Sequence, residues 1–128
     1  MFRRRYAYLS IVVGVAFVLH GYESLSAWTS EPGVVYWAIG VLAWSMTPYA
    51  LCLIVAHLSI NRTPANVGAS VALLFDLAMH REISVSTSST AALGYLFMPL
   101  WNLILLAPLS IFFVHWIVKK SRSNEGAP

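Results

Sequence analysis

The chain contains a 25-residue run, VVYWAIGVLAWSMTPYALCLIVAHL from Val34 to Leu58, that carries no Asp, Glu, Lys or Arg. A helix needs about 20 mainly apolar residues to cross the hydrocarbon core of a bilayer. A second run, from Ala91 to Val118, is longer and equally free of these charges. Because backbone groups cannot hydrogen-bond to lipid, such runs cross membranes as helices. The pattern therefore predicts an all-α integral membrane protein.

The composition supports a surface that faces lipid. Only 10% of the 128 residues are charged, and 59% are hydrophobic. A soluble domain normally carries about a quarter charged residues. The single cysteine, Cys52, excludes an internal disulfide and a cysteine-based metal cluster. Its position in an apolar run predicts a small packing residue.

We predict one domain, residues 1–120, that forms a four-transmembrane-helix bundle, followed by a short disordered cytoplasmic tail over residues 121–128. The expected spans are about 6–25, 34–58, 65–83 and 91–118. The third span is the weakest, because Asp76 interrupts it and the charged pair Arg81-Glu82 closes it. Three prolines lie within the predicted spans and should bend the helices, namely Pro48, Pro99 and Pro108.

The basic residues indicate the orientation. Seven of the eight fall on one side of the predicted spans: Arg3, Arg4, Arg5, Arg62, Lys119, Lys120 and Arg122. Positive residues remain cytoplasmic, so both termini are expected to be cytoplasmic, in a bacterial-type inner membrane. Their grouping at the ends of segments does not suggest binding to nucleic acid. An alternative is that the first predicted span belongs to a signal peptide cleaved near Ser24 to Ala27, which would leave three spans.

Asp76 is the residue whose chemistry most needs an explanation. It lies near the middle of the third predicted span, where an unpaired charge costs a few kcal/mol. Gly68, Ala72, Asp76 and His80 follow one another at steps of four and share one face of the helix. Small residues permit close approach between helices in lipid, so this face should point inward.

The expected polar cluster around Asp76 joins residues at similar depth from four spans. Its members are Asp76, His80, Asn102, Thr47 and His20. One interpretation is a polar clasp, a set of hydrogen bonds that fixes the packing of the helices. The other is a site that takes up a proton or another cation, because acids within membranes are often functional.

The histidines allow a second interpretation, since one falls in each predicted span. His20 and His80 lie in the outer half, and His57 and His115 lie near the cytoplasmic face. Two such pairs could hold two b-type haems. A metal site of nitrogen and oxygen ligands from His20, Glu23, Asp76 and His80 is also conceivable. Against haem, His57 and His115 lie almost at the interface, where a histidine needs no ligand role. No dense local spacing such as His-x-x-x-His supports the metal site, so no cofactor and no metal ligand is expected from the sequence.

Three function classes remain. No nucleophile with a neighbouring base and no phosphate-binding loop occurs, so we expect a non-enzymatic protein that acts through protein–protein contact. Examples are an immunity-type protein that protects against a membrane-acting toxin, or an accessory subunit. Its partners would be the lipid bilayer and either another protein or further copies of the chain. The alternatives are a small oligomeric transporter or channel, coupled to protons or cations through Asp76, and a di-haem electron carrier.

Overall fold

The structure is a computed structural model and describes residues 6–26, 32–85 and 91–125. Every regular element within these ranges is helical, which confirms the predicted all-α fold class. The helices are α1 (Ala7–Ser26), α2 (Pro32–Ser45), α3 (Thr47–Leu58), α4 (Thr63–Val85), α5 (Ala91–Trp101) and α6 (Ala107–Glu125), with a π-helical segment, Asn102–Leu106, between α5 and α6.

Two described stretches are long and apolar enough to cross a membrane, Ala7–Leu25 and Leu96–Arg122. The pair Gly33–Ser45 and Thr47–Leu58, bent by 40°, would form a third span. Large apolar side chains cover the outside of these helices, among them Ile11, Val18, Ile54, Phe112 and Phe113. Soluble monomers rarely expose apolar surface on this scale. The fold is therefore that of a membrane-associated helical protein with two or three candidate spans.

The break between α2 and α3 follows from Pro48. A proline lacks a backbone N–H, so Pro48 cannot donate to the carbonyl of Trp44 in the preceding turn. The hydroxyl of Thr47 donates to that carbonyl instead, at 2.6 Å. A side-chain donor of this kind lets a helix bend in an apolar environment without an unpaired carbonyl. The predicted bend in the second run is thus present, and Met46 lies at the break.

The π-helical segment interrupts the last apolar run. The backbone N–H of Ala107 donates to the carbonyl of Asn102, which closes a turn one residue wider than that of an α-helix. Pro108 lies just after this turn and has no N–H to offer the carbonyl of Ile104. The wider turn therefore occurs where the α-helical hydrogen-bond ladder cannot continue.

Helix α4 lies at the centre of the fold and contacts α1, α3, α5, α6 and the π segment. Tyr8 of α1 contacts Ser70 of α4 at one end, and Glu23 contacts His80 at the other. Residue numbers therefore increase in the same direction along both helices. Helix α4 is therefore parallel to α1. The order is reversed along α5 and α6, where Gly94 approaches Ile83 and Ile111 approaches Gly68, so α4 is antiparallel to both.

The core consists largely of small residues, as the sequence indicated. Gly68, Ala72, Asp76 and His80 are all buried, which confirms the predicted inward face of α4. A Cβ atom on Gly68 would lie 2.8 Å from Cγ1 of Ile111, so only glycine permits this close approach of α6. Cys52 is fully buried beside them, in agreement with a packing role.

Helix α6 continues to Glu125, so residues 121–125 of the predicted tail are helical in the structure. The last turns of α6 carry basic and polar residues, which a helix tolerates well once it leaves an apolar environment. Residues 126–128, the three N-terminal arginines and most of the Ser/Thr-rich linker before α5 lie outside the described residues.

Candidate functional site

Asp76 is buried in the interior of the helical fold, with 1% of its surface exposed. At 1.5 Å per residue it lies about 20 Å from the Thr63 end of α4 and about 14 Å from the Val85 end. No mobile solvent can stabilise a carboxylate at this depth, so its oxygens need fixed donors. The surrounding helices supply three.

These donors come from three different elements. Nε2 of His20 in α1 lies 2.9 Å from Oδ2 of Asp76, and the hydroxyl of Tyr49 in α3 donates to the same oxygen at 2.5 Å. Nδ2 of Asn102, in the π segment, donates to Oδ1 at 2.5 Å. We call Asp76, His20, Tyr49 and Asn102 the Asp76 cluster. It ties α4 to the other helices through charge-assisted hydrogen bonds, which are the stronger kind.

A second acid–histidine pair lies directly beside the cluster. Nδ1 of His80 is 2.5 Å from Oε1 of Glu23. His80 lies one helical turn after Asp76 in α4, and Glu23 lies one turn after His20 in α1. The rings of His20 and His80 are in contact, with centroids 5.3 Å apart. The two pairs therefore form one continuous row of side chains, Glu23, His80, His20 and Asp76, which we call the polar row.

Asn102 has one polar atom that the cluster leaves unused. Its side chain is fully buried, and among the described residues none donates a hydrogen bond to Oδ1. A buried carbonyl oxygen without a donor costs about 1–3 kcal/mol. An acceptor kept at such a cost, beside a carboxylate, is available to a cation or to a protonated group.

The structure brings together four of the five residues of the predicted cluster: Asp76, His80, Asn102 and His20. It does not include Thr47, whose hydroxyl is bound to the Trp44 carbonyl at the helix break. The prediction for Thr47 is wrong because Pro48 has no N–H for the Trp44 carbonyl, and the Thr47 hydroxyl donates to that carbonyl instead.

Tyr49 is the cluster member that the sequence interpretation missed. The signal for it was its position in the middle of a predicted span, away from the ends where interfacial tyrosines lie. A tyrosine at that depth needs a partner for its hydroxyl, and Asp76 supplies it.

The four histidines do not form two equivalent pairs. His20 and His80 are buried and in direct ring contact, with Glu23 bound to His80. Such contact leaves no gap for a porphyrin between the two rings. His57 and His115 have exposed side chains, and an exposed histidine is an ordinary surface residue. This geometry does not favour the di-haem alternative.

The two ends of the bundle differ in polarity around the cluster. Toward Ser26 and Val85, the polar row ends at Glu23, whose side chain is 26% exposed. Toward Thr63, the interior is filled by small and apolar residues, namely Leu9, Val12, Ala16, Cys52, Ala56, Ala65, Ala69 and Ala72. Among the described residues, polar groups therefore lead to the cluster from the end near Ser26 and Val85, which we call the polar end.

Comparison of the chain with protein-family models, with curated proteins and with solved structures gave no match.

Proposed function

We propose that this chain is a multi-pass membrane protein that takes up a cation at the Asp76 cluster, as the binding step of cation-coupled transport. The observation that carries this proposal is the buried carboxylate of Asp76, held by His20, Tyr49 and Asn102 and connected to a second acid through His80. Acids within membranes line ion and proton pathways unusually often.

The proposed arrangement has four spans, with α4 as the third. Its 23 residues extend over about 34 Å, which exceeds the roughly 30 Å of a hydrocarbon core. Its modest hydrophobicity is compatible with crossing, because α4 packs against α1, α3, α5, α6 and the π segment, and the large side chains that it exposes near its middle, Leu74 and Leu77, are apolar. Helix α4 runs parallel to α1 and antiparallel to α5 and α6, as expected for the third of four successive spans.

The orientation proposed from the basic residues places the polar end outside. Arg62 lies at the opposite end, where its guanidinium stacks on the ring of Tyr6 at 4.0 Å and donates to the Tyr6 hydroxyl. This contact gathers the start of α1 and the α3–α4 connection at one face of the membrane. The positive-inside rule makes that face cytoplasmic, in an inner membrane of the bacterial type.

A cation site accounts for the polar row better than a polar clasp does. One amide or hydroxyl pair is enough to fix helices in lipid. Here two carboxylates and two imidazoles lie together, and buried charges are costly unless they balance one another. The unused Oδ1 of Asn102 also has no place in a clasp. A bound cation would balance the two acids.

Uptake is proposed to begin at Glu23, the most exposed group of the polar row. The apolar packing on the cytoplasmic side of Asp76 closes the direct route through the bundle. A continuously open channel is therefore disfavoured, and transport would need a change in helix packing, or neighbouring copies, to release the cation.

The protein–protein function inferred from the sequence, of the immunity or accessory type, stays a prediction. It is compatible with a cation site, because a subunit of a larger transporter could supply one. Co-purification from membranes in mild detergent is the test, and repeated isolation of the chain without any partner would count against it.

The proposed function is tested with proteoliposomes that contain the full chain. Proton, sodium and zinc entry are each followed with a dye trapped inside, for the wild type, Asp76→Asn and Glu82→Gln. Glu82 is an exposed acid on the same helix and serves as the matched control. We expect one of the three cations to enter with wild type and Glu82→Gln, and its entry to fall to background with Asp76→Asn. Equal entry with Asp76→Asn, or no entry of any of them with wild type, contradicts the proposal.

A further inference from the structure

We infer that His20, Glu23 and His80 form a binding site for a divalent transition-metal ion, with Zn²⁺ as the representative. The inference rests on the proposed function, because it names the class of cation that the site takes up. It concerns the half of the polar row nearest the polar end.

The three side chains are arranged as a ligand set. Each offers one ligand atom, and these atoms all lie within 4.8 Å of one another. His20 and Glu23 are three residues apart on α1 and share a face of that helix, while His80 approaches from α4. Both backbones are helical and packed together, so the positions of the three ligand atoms relative to one another are set by side-chain torsions.

The ligand chemistry selects the ion. Two imidazole nitrogens and one carboxylate oxygen suit zinc and its neighbours in the first transition row, whereas calcium and magnesium prefer oxygen ligands only. Three protein ligands leave a fourth position open for water or another group. Sites with an open position exchange their metal more readily than closed four-ligand sites, which fits uptake and release.

Asp76 completes the site without touching the metal. Nε2 of His20 is bound to Oδ2 of Asp76, so Nδ1 is the nitrogen left for the ion. A carboxylate behind a metal-bound histidine fixes the orientation of the ring and strengthens it as a ligand. Asp76 is therefore a positioning residue, and Tyr49 and Asn102 hold it in place.

The charges also balance. Two neutral imidazoles contribute none, and the carboxylates of Glu23 and Asp76 together offset the two positive charges of the ion. A neutral assembly is what a buried site in a low-dielectric environment requires. A monovalent ion would leave one negative charge unbalanced, which argues for a divalent ion.

Access to the site comes through Glu23. His20 and His80 are 3% and 6% exposed, and Glu23 has 26% of its side chain exposed. Glu23 is therefore the group that an arriving ion meets first, and the two histidines lie behind it.

The test measures metal binding to the purified full chain in detergent. Zn²⁺ affinity is determined by competition with a chromophoric chelator, and Co²⁺ serves as a spectroscopic substitute for zinc. The variants are His80→Asn and Glu23→Gln, with the double variant His57→Asn/His115→Asn as the matched control, since both of its histidines are exposed. Glu23→Gln alters a partly exposed side chain, so it keeps the test decisive if His80→Asn fails to fold.

We expect one Zn²⁺ per chain for wild type and for the control, and visible Co²⁺ bands typical of nitrogen and oxygen ligands in a low-symmetry site. Affinity should fall at least ~100-fold in His80→Asn and Glu23→Gln, and by roughly 10–100-fold in Asp76→Asn, the range known for residues behind a ligand. Binding that survives in both His80→Asn and Glu23→Gln overturns the inference, as does binding that disappears in the control.

The two proposals fail in different ways. Absence of Zn²⁺ binding together with Asp76-dependent entry of protons or sodium overturns the metal inference and leaves the proposed function standing. Zn²⁺ binding at His20, Glu23 and His80 without entry of any cation confirms the site and overturns its role in transport.

Discussion

The hydroxyl of Tyr49 donates a 2.5 Å hydrogen bond to the carboxylate of Asp76. Cys52, further along α3, lies beside Gly68, further back along α4, so the two helices run in opposite directions. Both residues are almost completely buried. Sliding of α3 along α4 would separate the two groups, so the bond fixes the depth of one helix against the other.

Tyr49→Phe removes this donor and keeps the ring. We expect a loss of about 1.5–3 kcal/mol of stability, the range for a hydrogen bond to a charged group. The control is Tyr8→Phe, which removes an exposed hydroxyl paired with Ser70 and should cost much less. Denaturation in detergent, followed by circular dichroism, measures both. Equal losses in the two variants would show that the Tyr49 hydroxyl has no special role.

Gly68→Ala should destabilise the packing of α6 on α4. The added methyl would lie 2.8 Å from Cγ1 of Ile111, and overpacking of this kind costs about 1–3 kcal/mol. Gly14→Ala is the matched control, because nothing lies within 4 Å of the added atom, and alanine is favoured over glycine in a helix by up to about 1 kcal/mol. Thermal unfolding in the same detergent should therefore shift in opposite directions for the two variants. A Gly68→Ala protein as stable as wild type would mean that α6 does not pack this closely.

The side chains of Asp76 and Asn102 are hydrogen-bonded to each other. Exchanging their acid and amide groups distinguishes a cation site from a polar clasp. Asp76→Asn alone should weaken both stability and cation uptake. The double variant Asp76→Asn/Asn102→Asp restores an acid–amide pair, so it should recover much of the stability, but His20 no longer faces its carboxylate. We expect uptake to stay at background. Recovery of uptake along with stability would mean that only the packing matters.

Reporter fusions test the proposed topology. Fusions after Gly33, Pro64 and Thr90 should report outside, inside and outside, because each lies between successive proposed spans. A fusion at the C-terminus should report inside, in keeping with Lys119, Lys120 and Arg122. A C-terminus that reports outside would contradict the proposed topology, and it would place the polar end on the other side of the membrane.

The face of α4 that carries the site could be predicted from the sequence. The four-residue spacing from Gly68 to His80 defines one side of a helix, and a charge at its middle must face inward. The same depth argument selected Asn102. These conclusions depend only on the helical period and on distance along the chain, which the sequence contains directly.

The partners that depend on rotation between helices could not be predicted. Helical periodicity does not say how α3 is turned about its axis, and the break at Met46 sets that angle. Tyr49 was therefore missed and Thr47 was chosen, although they are two residues apart. The position of Asn102 within a π turn likewise depends on how the helix accommodates Pro108, which a regular 3.6-residue period does not describe.

The alanine-rich packing between Asp76 and the Thr63 end has an electrical consequence. The apolar packing and the buried side chains of the polar row both exclude mobile ions, so the membrane's voltage falls along both of them. A unit charge that reaches the middle of the bilayer crosses roughly half of the field, which amounts to about 1 kcal/mol at 100 mV and twice that for a divalent ion. Occupancy of the site would therefore follow the membrane potential, so an energised cell and a depolarised one would load the same protein to different extents at equal metal concentration.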